Sequence, residues 1–336
     1  MAATIVDVAA RAGVSTATVS RVLSGSGPAL PATRERVLAA ARELAYRPSG
    51  VARALKRAET RTIGLVVADI TNPFFPEIAR AVEAEAHRRG LGVLLLSTSE
   101  DADREAAMLD VLVERRVDGI VLASGRAPRR LARRLAELPV PVVVVDADTR
   151  LAGVSTVGTA QRAGAALAAE HLIGLGHRRL AFVGAPSGQA ASGPRRTGIL
   201  HALRAAGLGD DALEVEGGDG RVDGGVRAVD RLIGSGSRAT GIVAYNDLAA
   251  IGALRGLRRA GRRVPDDVSV VGFDDIEPAS WTDPPLTTVR QPTDAMGRLA
   301  VDLLARGSAR PERVTLAPTL VVRGSTGPAP RAATGS

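Results

Sequence analysis

The 336-residue chain contains no cysteine and four histidines, His87, His171, His177 and His201. Disulfides and thiolate metal sites are therefore excluded, and the histidines are too scattered to give metal-ligand spacing. No Ser/His/Asp set and no pair of carboxylates stands in a context that would support catalysis, and His177, in the turn GHRR (176–179), reads as structural. The glycine-rich segment GSGSR (234–238) precedes an apolar run. A phosphate cradle would instead follow a strand and open a helix. What remains is the chemistry of recognition. Asp69, Asn72, Asp146, Asn246, Asp247, Asp274 and Asp275 each close an apolar run or follow one closely. Asp247 and Asp275 read as caps or turn residues, and the others stand where ligands bind in sheets built from such runs. Aromatic residues make up only 2% of the chain, so the pair Phe74-Phe75 and the single Trp281 stand out. The Phe pair and the tryptophan are equally compatible with ordinary core.

These residues need elements to hold them. Apolar runs of strand length recur at 63–70, 91–98, 117–124, 140–147, 178–185, 239–246 and 268–275, separated by helical stretches of ten or more residues. Continuous apolar strands alternating with helices predict parallel sheets covered on both faces. Seven or more strands over residues 61–323 predict two α/β lobes, with ligands bound beyond the carboxyl ends of the strands. Residues 1–46 have a different pattern. Thr4 with Asp7 forms a capping box, Gly13 ends the first helix, and Ser15 caps a second helix from Thr16 to about Leu23. The turn Ala12-Gly13-Val14-Ser15 has the length of a helix-turn-helix turn, and a third helix is predicted from Pro31 to Ala45. Residues 47–60 are a basic linker with helix potential, and residues 324–336, rich in Gly, Pro, Ala and Ser, are predicted to be disordered.

Charge follows the same division. The first 60 residues carry nine Lys/Arg against four acids, so they hold +5 of the net +8. A basic head on a nearly neutral body is the footprint of a nucleic-acid module. A general bias towards arginine would leave the same mark, since Lys56 is the only lysine. No apolar run reaches 18 residues, and the charged N-terminus lacks the pattern of a signal peptide, so a cytoplasmic protein is expected, with no membrane partner.

The ordered motifs resemble the lac-repressor-type (LacI/GalR) family of bacterial regulators. They are TIVDVAARAGVSTATVSRVLSG (4–25), YRPSGVARALK (46–56), TNPFFPEI (71–78), RRVDGIVL (115–122), HLIGLGHRRLAFVG (171–184), the long segment 246–275 and PPLTTVRQP (284–292). The resemblance implies a helix-turn-helix head, a hinge helix and a two-lobed body like a periplasmic sugar-binding protein. The implied activity is that of a sequence-specific repressor, a homodimer on a palindromic operator in double-stranded DNA, controlled by a small effector that is a sugar or a derivative. No catalysis, cofactor or metal is implied. In the head, Thr16, Ala17 and Arg21 match base-reading positions, and Thr4, Ser15, Thr18 and Ser20 are candidates for phosphate contacts. In the hinge, Leu55 matches an apolar wedge for the minor groove, with Arg53 and Lys56 beside it. In the body, Arg195, Asn246 and Asp274 match effector-binding positions, with Asn72, Phe74, Asp146 and Gln291 as further candidates. Gly158-Thr159, Gly220, Ser24 and Gly50 depart from the family pattern, and the first two leave the effector's identity open. A free sugar-binding protein and a Rossmann-type enzyme are the competing readings. The basic head counts against the first, and the absence of a GxGxxG after the first strand counts against the second.

Overall fold

In a computed structural model of the chain, residues 3–25, 28–46, 59–123, 129–146, 153–185, 189–307 and 310–330 are described. They fall into two units, Met1–Arg61 and Thr62–Ser336. The hinge candidates Arg53, Leu55 and Lys56, and residues 331–336, lie outside the described residues.

The head consists of α1 (Ile5–Ala12), α2 (Thr16–Ser24) and α3 (Pro31–Glu43). Thr4 and Asp7 close a reciprocal capping box at the start of α1. The chain leaves that helix through Gly13 at φ 65, a left-handed conformation that glycine adopts without a Cβ penalty. Ser15 then caps α2 by accepting from the Thr18 amide. α3 opens on Pro31, whose missing amide hydrogen costs nothing in the first turn. The core of this unit is Val8, Ala9, Ala12, Val19, Val22, Val37, Ala40 and Ala41. Its side chains are small, so three short helices pack closely.

The body contains two six-stranded sheets among the described residues. The first has the order β11-β5-β4-β3-β1-β2 and is parallel throughout. Its strands are β1 (Thr62–Val67), β2 (Gly92–Ser97), β3 (Gly119–Ala123), β4 (Val142–Val145), β5 (Ser155–Thr159) and β11 (Arg313–Leu316). The helices of this lobe are α4 (Phe74–Arg88), α5 (Ala102–Glu114), α6 (Arg129–Glu137) and α11 (Thr293–Arg306). The second sheet has the order β12-β10-β9-β8-β6-β7, parallel except for the β10/β12 pair. Its strands are β6 (Leu180–Val183), β7 (Leu213–Glu216), β8 (Gly241–Ala244), β9 (Ser269–Asp274), β10 (Thr287–Arg290) and β12 (Thr319–Val321). Its helices are α7 (Gln161–Gly174), α8 (Ser192–Ala205), α9 (Val222–Gly234) and α10 (Asp247–Arg259). The central strands β3, β4, β8 and β9 are buried along their whole length, as parallel strands covered on both faces must be.

Helices α9 and α10 touch backbone to backbone: a Cβ on Gly252 would lie 2.0 Å from the Val222 carbonyl oxygen. The chain passes between the lobes three times, after β5, after β10 and after β11, and two of these passages carry Gln161 and Gln291.

Residues 324–330 depart from the expected disorder. Ser325 is fully buried, with its Oγ donating to the Val270 carbonyl and accepting from the Thr287 amide. The Ala329 amide donates to the Leu175 carbonyl. His177, also fully buried, makes hydrogen bonds with Thr240, Ser269 and the Gly327 carbonyl. The low-complexity composition is real, but small residues are what fit against the second lobe, and their backbone groups find partners there.

Candidate DNA-reading helix and effector cleft

Val19 and Val22 bury one face of α2, which leaves Thr16, Ala17 and Arg21 exposed together on the opposite face. Arg21 donates from one Nη to the Thr18 hydroxyl at 3.5 Å, a single long contact that leaves most of its fork available. Such a face, with one bidentate donor and two short side chains, suits the floor of a major groove. The phosphate candidates also have local structural roles. Thr4 and Ser15 are the N-caps, and Thr18 shares a 3.0 Å hydroxyl contact with Ser15. The Ser20 carbonyl accepts from the Ser24 hydroxyl.

In the body, the carboxyl ends of the strands meet at one cleft between the lobes, enclosing about 610 Å³ of open space including its mouth. Asn72, Phe74, Asp146, Arg195, Asn246 and Asp274 all line it. Asp146 and Asp274 stand directly after or at the end of β4 and β9 with positive φ, 61° and 123°. Such backbone strain is concentrated at functional sites. Asn246 caps α10 by accepting from the Ala249 amide, while its Nδ2 donates to the Gly220 carbonyl. Phe74 and Phe75 meet edge to face at 5.2 Å, and both are buried in the cleft wall. Trp281, by contrast, is exposed and takes no part in the cleft.

Arg195 sits at the centre with only 3% of its surface exposed. Its guanidinium lies 3.6 Å from the Phe273 ring centroid and 4.7 Å from that of Tyr245. Nε donates to Gln161 Oε1 at 2.8 Å, Nη1 donates to the Tyr245 carbonyl, and Nη2 is 3.8 Å from Asp274 Oδ1. Burial pushes the Asp274 carboxyl well above the ordinary carboxylate range; Arg195 opposes that rise. Asp247, fully buried behind it, accepts from the Thr288 hydroxyl and the Ile276 amide, and burial raises it to about 7. Asp275 pairs with Arg290 and Arg323 and so holds the chain after β9.

Gln291 is close to this set but does not line the cleft. It is buried one layer behind, donating to Asp274 Oδ1 at 2.8 Å. Gln161 was not among the expected residues. It joins the whole group: its amide nitrogen donates to Asp146 at 2.9 Å and to Gln291 at 3.3 Å, while its oxygen receives Arg195. Nothing in its sequence setting, an alanine-rich helix start, marks it. Gly158 and Thr159 lie within β5, and the Thr159 hydroxyl meets Met296 Sδ. Gly220 borders the cleft at φ 71.

A helix-turn-helix unit joined in one chain to a two-lobed, cleft-bearing body defines a ligand-controlled DNA-binding regulator. A model of the bacterial regulatory proteins of the lacI family matches residues 4–49, and one of a periplasmic binding protein-like domain matches residues 169–326. The ribose operon repressor of Escherichia coli (strain K12) is 37% identical over 329 residues, covering 96% of this chain and 99% of that protein. Among solved structures, the lac repressor dimer bound to operator and the anti-inducer ONPF is similar with a TM-score of 0.89 at 29% identity, covering 97% of this chain and 100% of that one. A lacI-family regulator from Enterococcus faecium with bound ribose gives 0.71 at 30% identity, covering 80% and 99%. The chain belongs to the lacI family of bacterial regulatory proteins. It is a DNA-binding transcriptional repressor under the control of a ligand.

Proposed function

We propose that the chain binds a palindromic operator as a homodimer and that a small neutral sugar, with D-ribose the first candidate, sets its affinity for that operator. The observation that carries the sugar reading is the convergence of Asp146, Arg195, Asn246 and Asp274 with Phe74 on one cleft. Carboxylates and an amide accept from and donate to hydroxyls, a buried guanidinium serves ring and hydroxyl oxygens, and an aromatic ring covers the apolar face. The ribose-bound structure and the ribose operon repressor among the similar proteins support the pentose as first candidate. In the head, Thr16, Ala17 and Arg21 read bases, while Thr4, Ser15, Thr18 and Ser20 contact phosphates. In the hinge, Leu55, with Arg53 and Lys56, enters the minor groove. The protein works by binding alone, without catalysis, in the cytoplasm. Among the described residues no helix is long and apolar enough to cross a membrane.

The experiment is selection of bound sequences from random DNA at defined salt, followed by titration of the selected site with and without D-ribose. A palindrome with a two-fold centre, bound with an affinity that the sugar changes, is the expected result. Failure to enrich any sequence, with or without the sugar, would overturn the operator-binding reading. Arg21→Ala should cost about 1–3 kcal/mol on the selected site and less on random DNA. An equal loss on both would remove Arg21 from base reading.

A further inference from the structure

Tyr245 ends β8's turn into the cleft, immediately before Asn246. Its backbone is fixed on both sides: the amide donates to the Val183 carbonyl at 2.7 Å, and its own carbonyl accepts from Arg195. One face of the ring carries the Arg195 guanidinium at 4.7 Å. The edge formed by Cδ1 and Cε1 looks towards Gly220, where a Cβ would come to 3.7 Å. Gly220 has no side chain, so nothing from that loop residue covers the ring edge, and Tyr245 lines the cleft beside Asn72, Phe74 and Asn246.

The hydroxyl makes no hydrogen bond among the described residues. Nor is it one of the fully buried side-chain atoms without a partner, which among the described residues are Glu85 Oε2 and Thr156 Oγ1. The residue that carries it lines the cleft. A tyrosine retained only for packing normally pairs its hydroxyl when it is buried. The charges that act on this phenol are those of Arg195, Asp146, Asp274 and Glu100, all of them cleft residues. Burial pushes its ionisation far above the ordinary phenol value, so the group keeps its proton and can donate.

We propose that Tyr245 is an effector-contacting, specificity-determining residue, whose hydroxyl donates to an oxygen of a neutral sugar while its uncovered ring edge borders the sugar ring. This rests on the sugar reading of the cleft. It adds a hydroxyl donor to a site that already holds carboxylates, amides and a guanidinium, and so selects a ligand offering an acceptor oxygen at that point.

The test compares the full chain with Tyr245→Phe, which keeps the ring under Arg195 and removes only the hydroxyl. D-ribose and a panel of other neutral monosaccharides and disaccharides are screened against the wild type by thermal shift. The best binder is then titrated calorimetrically into both proteins. The hydroxyl's loss should weaken binding about 3- to 10-fold, the equivalent of one net hydrogen bond, with the ligand-free melting temperature unchanged. The chain has two tyrosines and one tryptophan. Of these, Tyr245 is the tyrosine of the cleft, so sugar binding to the wild type should also perturb the tyrosine absorption in the near ultraviolet, and that signal should vanish in the variant. Equal affinity in the two proteins, or a sugar titration that leaves the tyrosine absorption unchanged, would overturn the role of Tyr245 and leave the cleft reading standing. If no neutral sugar binds the wild type, the cleft reading falls and Tyr245's role falls with it.

Discussion

Arg195 cannot shed its charge, and it is nine-tenths enclosed, so every group around it works to offset that charge. Asp274 is the only carboxylate in direct range among the described residues, and at 3.8 Å it is a loose partner rather than a closed ion pair. A ligand hydroxyl between the two would tighten both contacts, which is why the pair suits binding better than it suits stability. Asp274→Ala should therefore abolish the sugar response, at a cost of about 1.5–3 kcal/mol in sugar binding, while operator affinity without sugar is kept. Fluorescence anisotropy on the selected operator, with and without sugar, checks this; a normal response in the variant would place the effector elsewhere. Most of this site is legible from strand-end position and family resemblance together, because Asp146, Asn246 and Asp274 close apolar runs and Arg195 sits in a family-like motif. Gln161 and Tyr245 could not. The first is important only for what it joins across 130 residues of sequence, and the second ends a run that reads as core. Gln291 was named, but its place behind Asp274 depends on how the chain passes between lobes.

At the level of elements, the strands that announced themselves are those lying mostly in the middle of each sheet, where burial on both faces demands unbroken Val, Ile and Leu. β7, β11 and β12 are edge strands with half-exposed faces, and LEVE, RVTL and TLV show no apolar run. β5 and β10 are buried, but Ser155, Thr156, Thr287 and Thr288 interrupt their apolar character. The packed segment 324–330 was hidden by its composition, and it makes a pH prediction. Burial lowers the pKa of His177, and of His171, whose ring meets the Thr326 hydroxyl. The folded chain therefore holds neutral imidazoles, while the unfolded chain takes up protons below about pH 6.5. This contribution to stability is intact above that pH and is lost as the pH falls through it towards the lowered folded values. Asp247, raised to about 7, has the opposite sign: its contribution favours the folded state at low pH and fades as the pH rises through 7. The wild-type slope sums these with other shifted groups, Asp274 among them, so the difference between proteins is the useful quantity. His177→Gln should melt lower than the wild type at about pH 7.5, and the gap should shrink by about pH 5.5. A gap that stays constant across that range would show that the imidazole's protonation plays no part.

The body as a whole is two lobes joined by three crossings of the chain, an arrangement that permits opening and closing about the cleft. At the cleft floor the tie is Gln161, joining Asp146 of the first lobe to Arg195 of the second. Near the mouth, Arg221 donates to Asp69 Oδ2 at 2.7 Å. Asp69 follows β1 in the first lobe, and its other oxygen accepts from the Thr71 amide and hydroxyl. Burial acts to raise this carboxyl, but the Thr71 bonds and Arg221 outweigh it and hold it below the ordinary value. Arg221 caps α9 in the second lobe, and its amide is fixed by Asp219. Both ends are thus anchored in their own lobes, so the pair resists separation of the two. Arg221 is half exposed, which limits the pair to roughly 0.5–1 kcal/mol. That is enough to shift a closed population by a factor of about 2 to 5 and to weaken an effector of the closed form equally. Because the chain has no cysteine, Glu114→Cys on α5 and Ser235→Cys after α9 can each be labelled without background. Arg221→Gln and Asp69→Asn should each widen the measured distance distribution between the labels in the ligand-free protein. The double variant should add little to either, because the two substitutions remove the same contact. High salt should widen the wild type towards the variants. An unchanged distribution in Arg221→Gln would mean that the cleft floor, through Gln161, sets the closure alone.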